Sequence, residues 1–365
     1  MCPAPRCREE LLSIKPYVPG KPIDEVKREL GISDVIKMAS NENPLGPSPK
    51  AVKAVEQMLP EIYLYPDGSC YELKNTISQK LGVEPCNILV GNGSDESIKF
   101  VAETYLNTGD EIISPQPSFS EYEFAAKVMG ARCIYSPLDS AFRLDLEDMA
   151  RRITGKTRAV FICSPNNPTG TIVSAGEIRG FLDKVPGEVL VVFDEAYREY
   201  VTDAGYMDTL DLLKEGRKNI LILRTFSKIY GLAGLRVGYA LGHEEIIASM
   251  NRVREPFNVN LLAQAAANAA INDNDHVRAS REINEAGKAY LYRELGQLGL
   301  KFFPTHANFI WLDTGRNSRE LFGQLLQKGV IVRTGDIFGF DSFIRVTIGL
   351  PEQNERFIAA LKETL

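Results

Sequence analysis

The sequence is poor in the residues that would tie it to several large classes of protein. Its six cysteines stand scattered at 2, 7, 70, 86, 133 and 163, none in a C-x-x-C pair, and the three histidines are His243, His276 and His306. This argues against a structural zinc site. A disulfide framework is not how a chain of this length holds itself together, so reduced thiols in a cytoplasm are the expectation. Long apolar runs are missing as well. Val189-Leu190-Val191-Val192-Phe193 is strand-sized and far too short to span a bilayer. The polar, proline-bearing start MCPAPRCREELL has no apolar core of the kind a secretory signal needs. There is no Lys/Arg run, and the net charge is -6, so no concentrated basic face is available for a nucleic-acid backbone. No internal repeat is visible, and no G-x-x-x-x-G-K-[ST] loop occurs.

What is present is an ordinary globular composition, 44% hydrophobic and 25% charged, in 365 residues, enough for two domains. From residue 87 short apolar runs alternate with helical stretches. Segments 87–90, 111–114, 158–163, 189–193, 219–224 and 238–241 read as strands, and 94–106 reads as a helix with Ile98, Val101, Ala102 and Tyr105 on one face. This pattern predicts an α/β fold with a parallel or mostly parallel sheet. After residue 258 the texture changes to an Ala-rich helix, a long amphipathic helix (275–298), strands at 308–312, 330–333 and 343–347, and a last helix from Pro351. The expected division is an N-terminal arm and helix (1–32) that rejoins the C-terminal part, a large domain (33–257) and a smaller α+β domain (258–365).

Three segments carry chemistry. Thr225-Phe226-Ser227-Lys228 follows a buried-looking strand, at the strand end where α/β folds place ligands. A lysine in a dry pocket has a lowered pKa and can form a Schiff base with a carbonyl, while the neighbouring hydroxyls and Arg236 can hold a phosphate. Asp194-Glu195-Ala196-Tyr197 ends the run VLVVF. Without a phosphate-binding loop a Walker-type metal role falls away, and Asp194 could instead pair with a pyridinium nitrogen, with Tyr197 donating to a ring oxygen. Ser164-Pro165-Asn166-Asn167-Pro168-Thr169-Gly170-Thr171 is rich in turn formers, but the full run is more specific than a turn requires.

In this order SPNNPTG, DEAY and TFSKIYGLAGLRVGY resemble the aspartate-aminotransferase-type (fold type I) pyridoxal-5'-phosphate enzymes, over essentially the whole chain. The resemblance implies a large domain built on a mostly parallel seven-stranded sheet between helices, and a homodimer. Lys228 would be the Schiff-base lysine that afterwards moves a proton between Cα and C4'. Asp194 would pair with the pyridine nitrogen, Tyr197 and Asn167 would bond the ring's O3', and Thr225, Ser227 and Arg236 would hold the phosphate. Gly93, Ser94 and Asp95, at a strand-to-helix turn, would add backbone N–H groups to that phosphate; a plain N-cap is the alternative for Ser94 or Asp95. Phe119 would stack on the ring, or else serve as a core aromatic.

KPYVPGKP (15–22), ASNENPLG (39–46), YLYPDG (63–68) and REPFNVN (254–260) are similar to histidinol-phosphate aminotransferases in particular. By that resemblance Tyr65 reaches across a dimer interface to the partner's cofactor phosphate. Tyr17 and Asn43 face substrate, Arg345 binds the substrate's α-carboxylate, and Arg333 and Asn308 stand nearby. An Arg pair could accept either a carboxylate or the phosphate of histidinol phosphate, as an enzyme alternating between that substrate and glutamate/2-oxoglutarate must. An aromatic aminotransferase and a threonine-phosphate decarboxylase remain the alternatives; a fold retained only for ligand binding is disfavoured by the presence of both Lys228 and Asp194. No metal, membrane or nucleic-acid partner is expected.

Overall fold

The computed structural model describes residues 5–14 and 20–365. Its centre is a seven-stranded sheet in the order Ile88–Gly91, Gly238–Gly242, Ile220–Thr225, Leu190–Asp194, Thr157–Cys163, Glu111–Gln116, Arg132–Pro137. Every neighbouring pair is parallel except those made by Gly238–Gly242, which runs against both of its neighbours. The middle strands are buried along their whole length, as expected for near-continuous apolar runs covered on both faces. Alternate residues serve opposite cores. Leu190 and Val192 pack with helices Ser94–Tyr105 and Glu121–Val128, whereas Val191 and Phe193 pack with helix Ala175–Leu182.

The strand Arg132–Pro137 is not apparent in the sequence pattern. It is an edge strand, only partly buried along most of its length, so it lacks the apolar run that betrays the inner strands. The expected strand 330–333 is two pieces in different sheets. Val330–Ile331 pairs in parallel with Ile36–Lys37, and Arg333–Thr334 joins an antiparallel sheet with Phe343–Thr347, Phe309–Asp313 and Lys301–Phe303. Helices Asn274–Gln297 and Pro351–Lys362 cover this second sheet, with Leu291, Leu295, Phe357 and Leu361 at its core. The Ala-rich helix Leu261–Ala270, capped by the Asn260 side chain on Ala263 N (2.8 Å), packs instead with the main core beside Leu73, Ile77 and Val90. Among the described residues no helix is long and apolar enough to cross a membrane.

Candidate active site

The C-terminal ends of five parallel strands converge on one cavity of about 280 Å3, at the small end of the range for small-molecule sites. Ile220–Thr225 delivers Thr225, Ser227 and Lys228, and Leu190–Asp194 delivers Asp194 and then Tyr197. Asn167 comes from the turn after Thr157–Cys163, Phe119 from the turn after Glu111–Gln116, and Ser94 with Asp95 from the helix after Ile88–Gly91. Arg236, Arg333 and Arg345 complete the lining among the expected residues.

At the floor, Lys228 Nζ donates to Ser40 O at 3.2 Å and lies 5.6 Å from the Tyr197 ring centroid. Burial, and then the Arg345 guanidinium, push the Lys228 pKa down to about 8, so an appreciable share of the amine is neutral near physiological pH and able to act as nucleophile or base. Asp194 accepts hydrogen bonds from the Tyr122 hydroxyl (2.7 Å) and from Ala196 N (3.1 Å). Burial pushes its pKa up to about 6, with those two donors working in the opposite direction, so at neutral pH the carboxylate predominates. Burial also raises the Tyr197 phenol above its ordinary value. The Tyr197 oxygen accepts from Asn41 Nδ2 at 3.0 Å, which leaves its own proton available for another acceptor.

One end of the cavity gathers a helix N-terminus, hydroxyls and Arg236. Gly93, at φ 85°, is the N-cap of helix Ser94–Tyr105 and no side chain caps that helix, so Ser94 and Asp95 are its first helical residues rather than its caps. The backbone N–H groups of a first turn have no intrahelical partner and favour negative charge. Arg236 Nη2 bonds Asp95 Oδ2 at 2.8 Å, and Nη1 approaches Ser227 Oγ at 3.4 Å. Glycine is favoured at 93 by its positive φ, and a Cβ there would lie 2.7 Å from Arg236 Nη2 and push that guanidinium aside.

The opposite wall joins residues 39–42 to the C-terminal sheet. Arg345, almost fully buried, donates from Nη2 to Ala39 O (2.6 Å) and from Nη1 to Asn167 Oδ1. Arg333 and Arg345 are direct cross-strand partners. Like charges opposite each other in a sheet are destabilising, and both of these line the cavity, so the arrangement suits a ligand that brings negative charge. Ile337 and Phe338 give the same wall an apolar strip.

Comparison with known proteins agrees with this geometry. The family described as aminotransferase class I and II matches residues 33–361. A histidinol-phosphate aminotransferase of Moorella thermoacetica is 63% identical over 99% of this chain and 93% of its own length. One from Caldicellulosiruptor saccharolyticus is 49% identical over 98% and 99%. The chain belongs to the class I and II aminotransferases. Among solved structures, the histidinol-phosphate aminotransferase of Sinorhizobium meliloti in complex with pyridoxal-5'-phosphate superposes with a TM-score of 0.89 at 24% identity, covering 98% of this chain and 97% of that one, a likeness of fold.

Not every residue singled out by sequence faces the aminotransferase cavity. Asn43 is turned away, its Nδ2 donating to Ile229 O and Ser280 Oγ, both at 2.8 Å. Tyr65 is 82% exposed and stacks on Phe257, with 4.9 Å between centroids. Asn308 supports the wall from behind, donating to Asn41 O at 3.0 Å. Tyr17 lies outside the described residues. Sequence reasoning missed Asn41 and the part Tyr122 plays. Asn41, at φ 58°, also donates its backbone N–H to Thr347 Oγ1 (2.9 Å), which ties it to the strand that carries Arg345. Its presence in Asn41-Glu42-Asn43 beside an equally plausible asparagine hid it, and Tyr122, three residues after Phe119, was given no role.

Proposed function

We propose that this aminotransferase moves the amino group of L-histidinol phosphate onto 2-oxoglutarate, giving imidazole acetol phosphate and L-glutamate, a step of histidine biosynthesis. The observation that carries the substrate is the full-length likeness to relatives of that name, 63% identical in the Moorella protein. The paired Arg333 and Arg345 guanidiniums accord with it, since one substrate of the pair brings a phosphate and the other carboxylates.

Pyridoxal 5'-phosphate is the cofactor in this reading, and the residues present fit it. The helix N-terminus at Ser94 and Asp95, the Gly93 cradle, Thr225, Ser227 and Arg236 would hold its phosphate. Asp194 would pair with its ring nitrogen, Tyr197 and Asn167 would bond its ring hydroxyl, and Phe119 would cover one ring face. When bound, the cofactor supplies an electron sink that stabilises negative charge at the substrate's α-carbon. Lys228 binds the cofactor between turnovers, and during turnover its Nζ accepts the proton from the α-carbon. Arg345 would hold the substrate's anionic α-substituent, and the Tyr197 hydroxyl would hold a proton at the cofactor's ring oxygen.

The proposal extends to a cytoplasmic homodimer. Leu59, Ile62, Tyr63, Leu64, Tyr65 and Tyr71 form an exposed apolar stretch suited to a second copy, with Tyr65 serving the partner's phosphate site. It also keeps a large and a small domain, in line with the separate seven-stranded and four-stranded sheets, but helix Leu261–Ala270 packs with the large domain's core and Ile36–Lys37 pairs with Val330–Ile331, so the expected boundaries at 33 and 258 do not match the packing.

The test is a single-turnover titration of the cofactor's absorbance with L-histidinol phosphate, L-phenylalanine and O-phospho-L-threonine. Much the fastest conversion is expected with histidinol phosphate. Equal or faster conversion by phenylalanine makes it an aromatic aminotransferase, and CO2 release from phosphothreonine takes it out of the transferases.

A further inference from the structure

Tyr122 is fully buried on helix Glu121–Val128, and its ring is held from two sides. It stacks on Phe161 with 4.4 Å between centroids and meets Phe119 edge-on at 5.7 Å. Its hydroxyl has one short bond, to Asp194 Oδ2 at 2.7 Å. The other carboxylate oxygen is fixed by Ala196 N at 3.1 Å. The ionisable groups around Asp194 offer little competing help. Cys163 is buried beside it with a thiol pushed up to about 12, the Tyr197 phenol is raised by burial, and Asp95 and Glu195 are like charges that work against ionisation.

We infer that Tyr122 is the positioning residue of the cofactor site: through its hydroxyl it aims Asp194 and keeps that carboxylate charged for the ring nitrogen, and through its ring edge it sets Phe119. This rests on the pyridoxal-phosphate reading above. The hydroxyl opposes the burial that raises Asp194. Without it Asp194 takes up a proton at higher pH, and a protonated acid cannot pair with a protonated ring nitrogen.

The experiment measures binding of pyridoxamine 5'-phosphate, which cannot condense with Lys228, to the full chain stripped of cofactor, from pH 5 to 9. Tyr122→Phe keeps both ring contacts and removes only the hydroxyl. Its binding curve is expected to move to higher pH by about 1 to 2 units, the equivalent of one hydrogen bond to a charged group. Affinity for the analogue with carbon in place of the ring nitrogen should stay unchanged. A site-specific difluorotyrosine at 122, a stronger donor, should move the curve the other way, and it serves where the Phe variant folds poorly. Superimposable pH curves for the three proteins would overturn the inference, as would equal losses for both ligands, which mark a merely structural role. No binding of pyridoxamine phosphate by the unaltered chain would instead overturn the cofactor reading beneath it.

Discussion

Replacing Arg345 by lysine and, separately, by glutamine divides its two tasks. The guanidinium is buried, bonded to Ala39 O at 2.6 Å and to Asn167, and lies 5.3 Å from the Phe309 ring centroid. Lysine keeps the charge but has no planar fork, so it cannot hold these two acceptors and also grip a substrate anion with paired donors. Losing one hydrogen bond to a charged group costs about 1.5–3 kcal/mol, or about 10- to 150-fold in kcat/KM for glutamate. Glutamine loses the fork and the charge. Because Arg345 is the foremost neighbouring charge that lowers the Lys228 pKa, its removal should let Lys228 hold its proton to higher pH. The assays are stopped-flow half-reactions with glutamate and with histidinol phosphate, and the pH dependence of cofactor capture by the stripped chain. Capture needs a neutral Lys228 and should rise through about pH 8 in the unaltered chain. Arg345→Lys should slow the half-reactions and leave the capture profile in place, whereas Arg345→Gln should slow them further and displace the profile upward. Unimpaired half-reactions in both variants, or an unmoved profile in Arg345→Gln, would refute the reasoning.

Gly93→Ala should weaken cofactor affinity on the order of tenfold, because the new Cβ meets Arg236 Nη2 at 2.7 Å in a left-handed backbone that costs an L-residue about 1–2 kcal/mol; equilibrium dialysis showing unchanged affinity would count against the anion cradle. Lys228→Met should stabilise the cofactor-free chain at pH 7. The folded pKa of about 8 lies below the ordinary 10.5, so the penalty of a protonated buried amine is absent above pH 10.5, grows as pH falls towards 8, and is complete below it, on the order of 3 kcal/mol. Thermal unfolding at pH 7 and at pH 10.5 tests this, and a gain of equal size at both would point to packing instead.

Most of the main sheet was legible because buried parallel strands announce themselves as apolar runs, and polar residues at or just after the ends of two of them reach the cavity. Asp194 after VLVVF and Lys228 after the strand Ile220–Thr225 are of this kind. Where burial is partial the signal fades, as at the edge strand Arg132–Pro137. Where function depends on contacts between distant segments, it vanishes. Asn41 reaches Tyr197 across 156 residues, and Tyr122 reaches Asp194 across 72. Nothing in their neighbours along the chain distinguishes Asn41 from Asn43. The left-handed backbone at Asn41 points one amide towards the site, while Asn43 is held by Ile229 and Ser280.

The buried cations of the site share a feature that has consequences for its chemistry. Lys228 and Arg345 are met by neutral oxygens: the carbonyl of Ser40 for one, the carbonyl of Ala39 and the amide of Asn167 for the other. Carbonyl and amide dipoles satisfy the donors and fix their direction without cancelling their charge. Such positive charge suits an anionic substrate, and after burial the Arg345 guanidinium is the next cause that pushes the Lys228 pKa down to about 8. A carboxylate in the same place would reverse both effects. Asn167→Asp makes that exchange with almost no change of shape. The new carboxylate should pair with Arg345, compete with the substrate's carboxylate and raise the Lys228 pKa, so KM for glutamate should rise and the cofactor-capture profile should move to higher pH together. Asn167→Ala, which removes the acceptor without adding charge, should leave the profile where it was. An Asp variant with the Ala variant's profile would mean that charge at this wall does not govern Lys228.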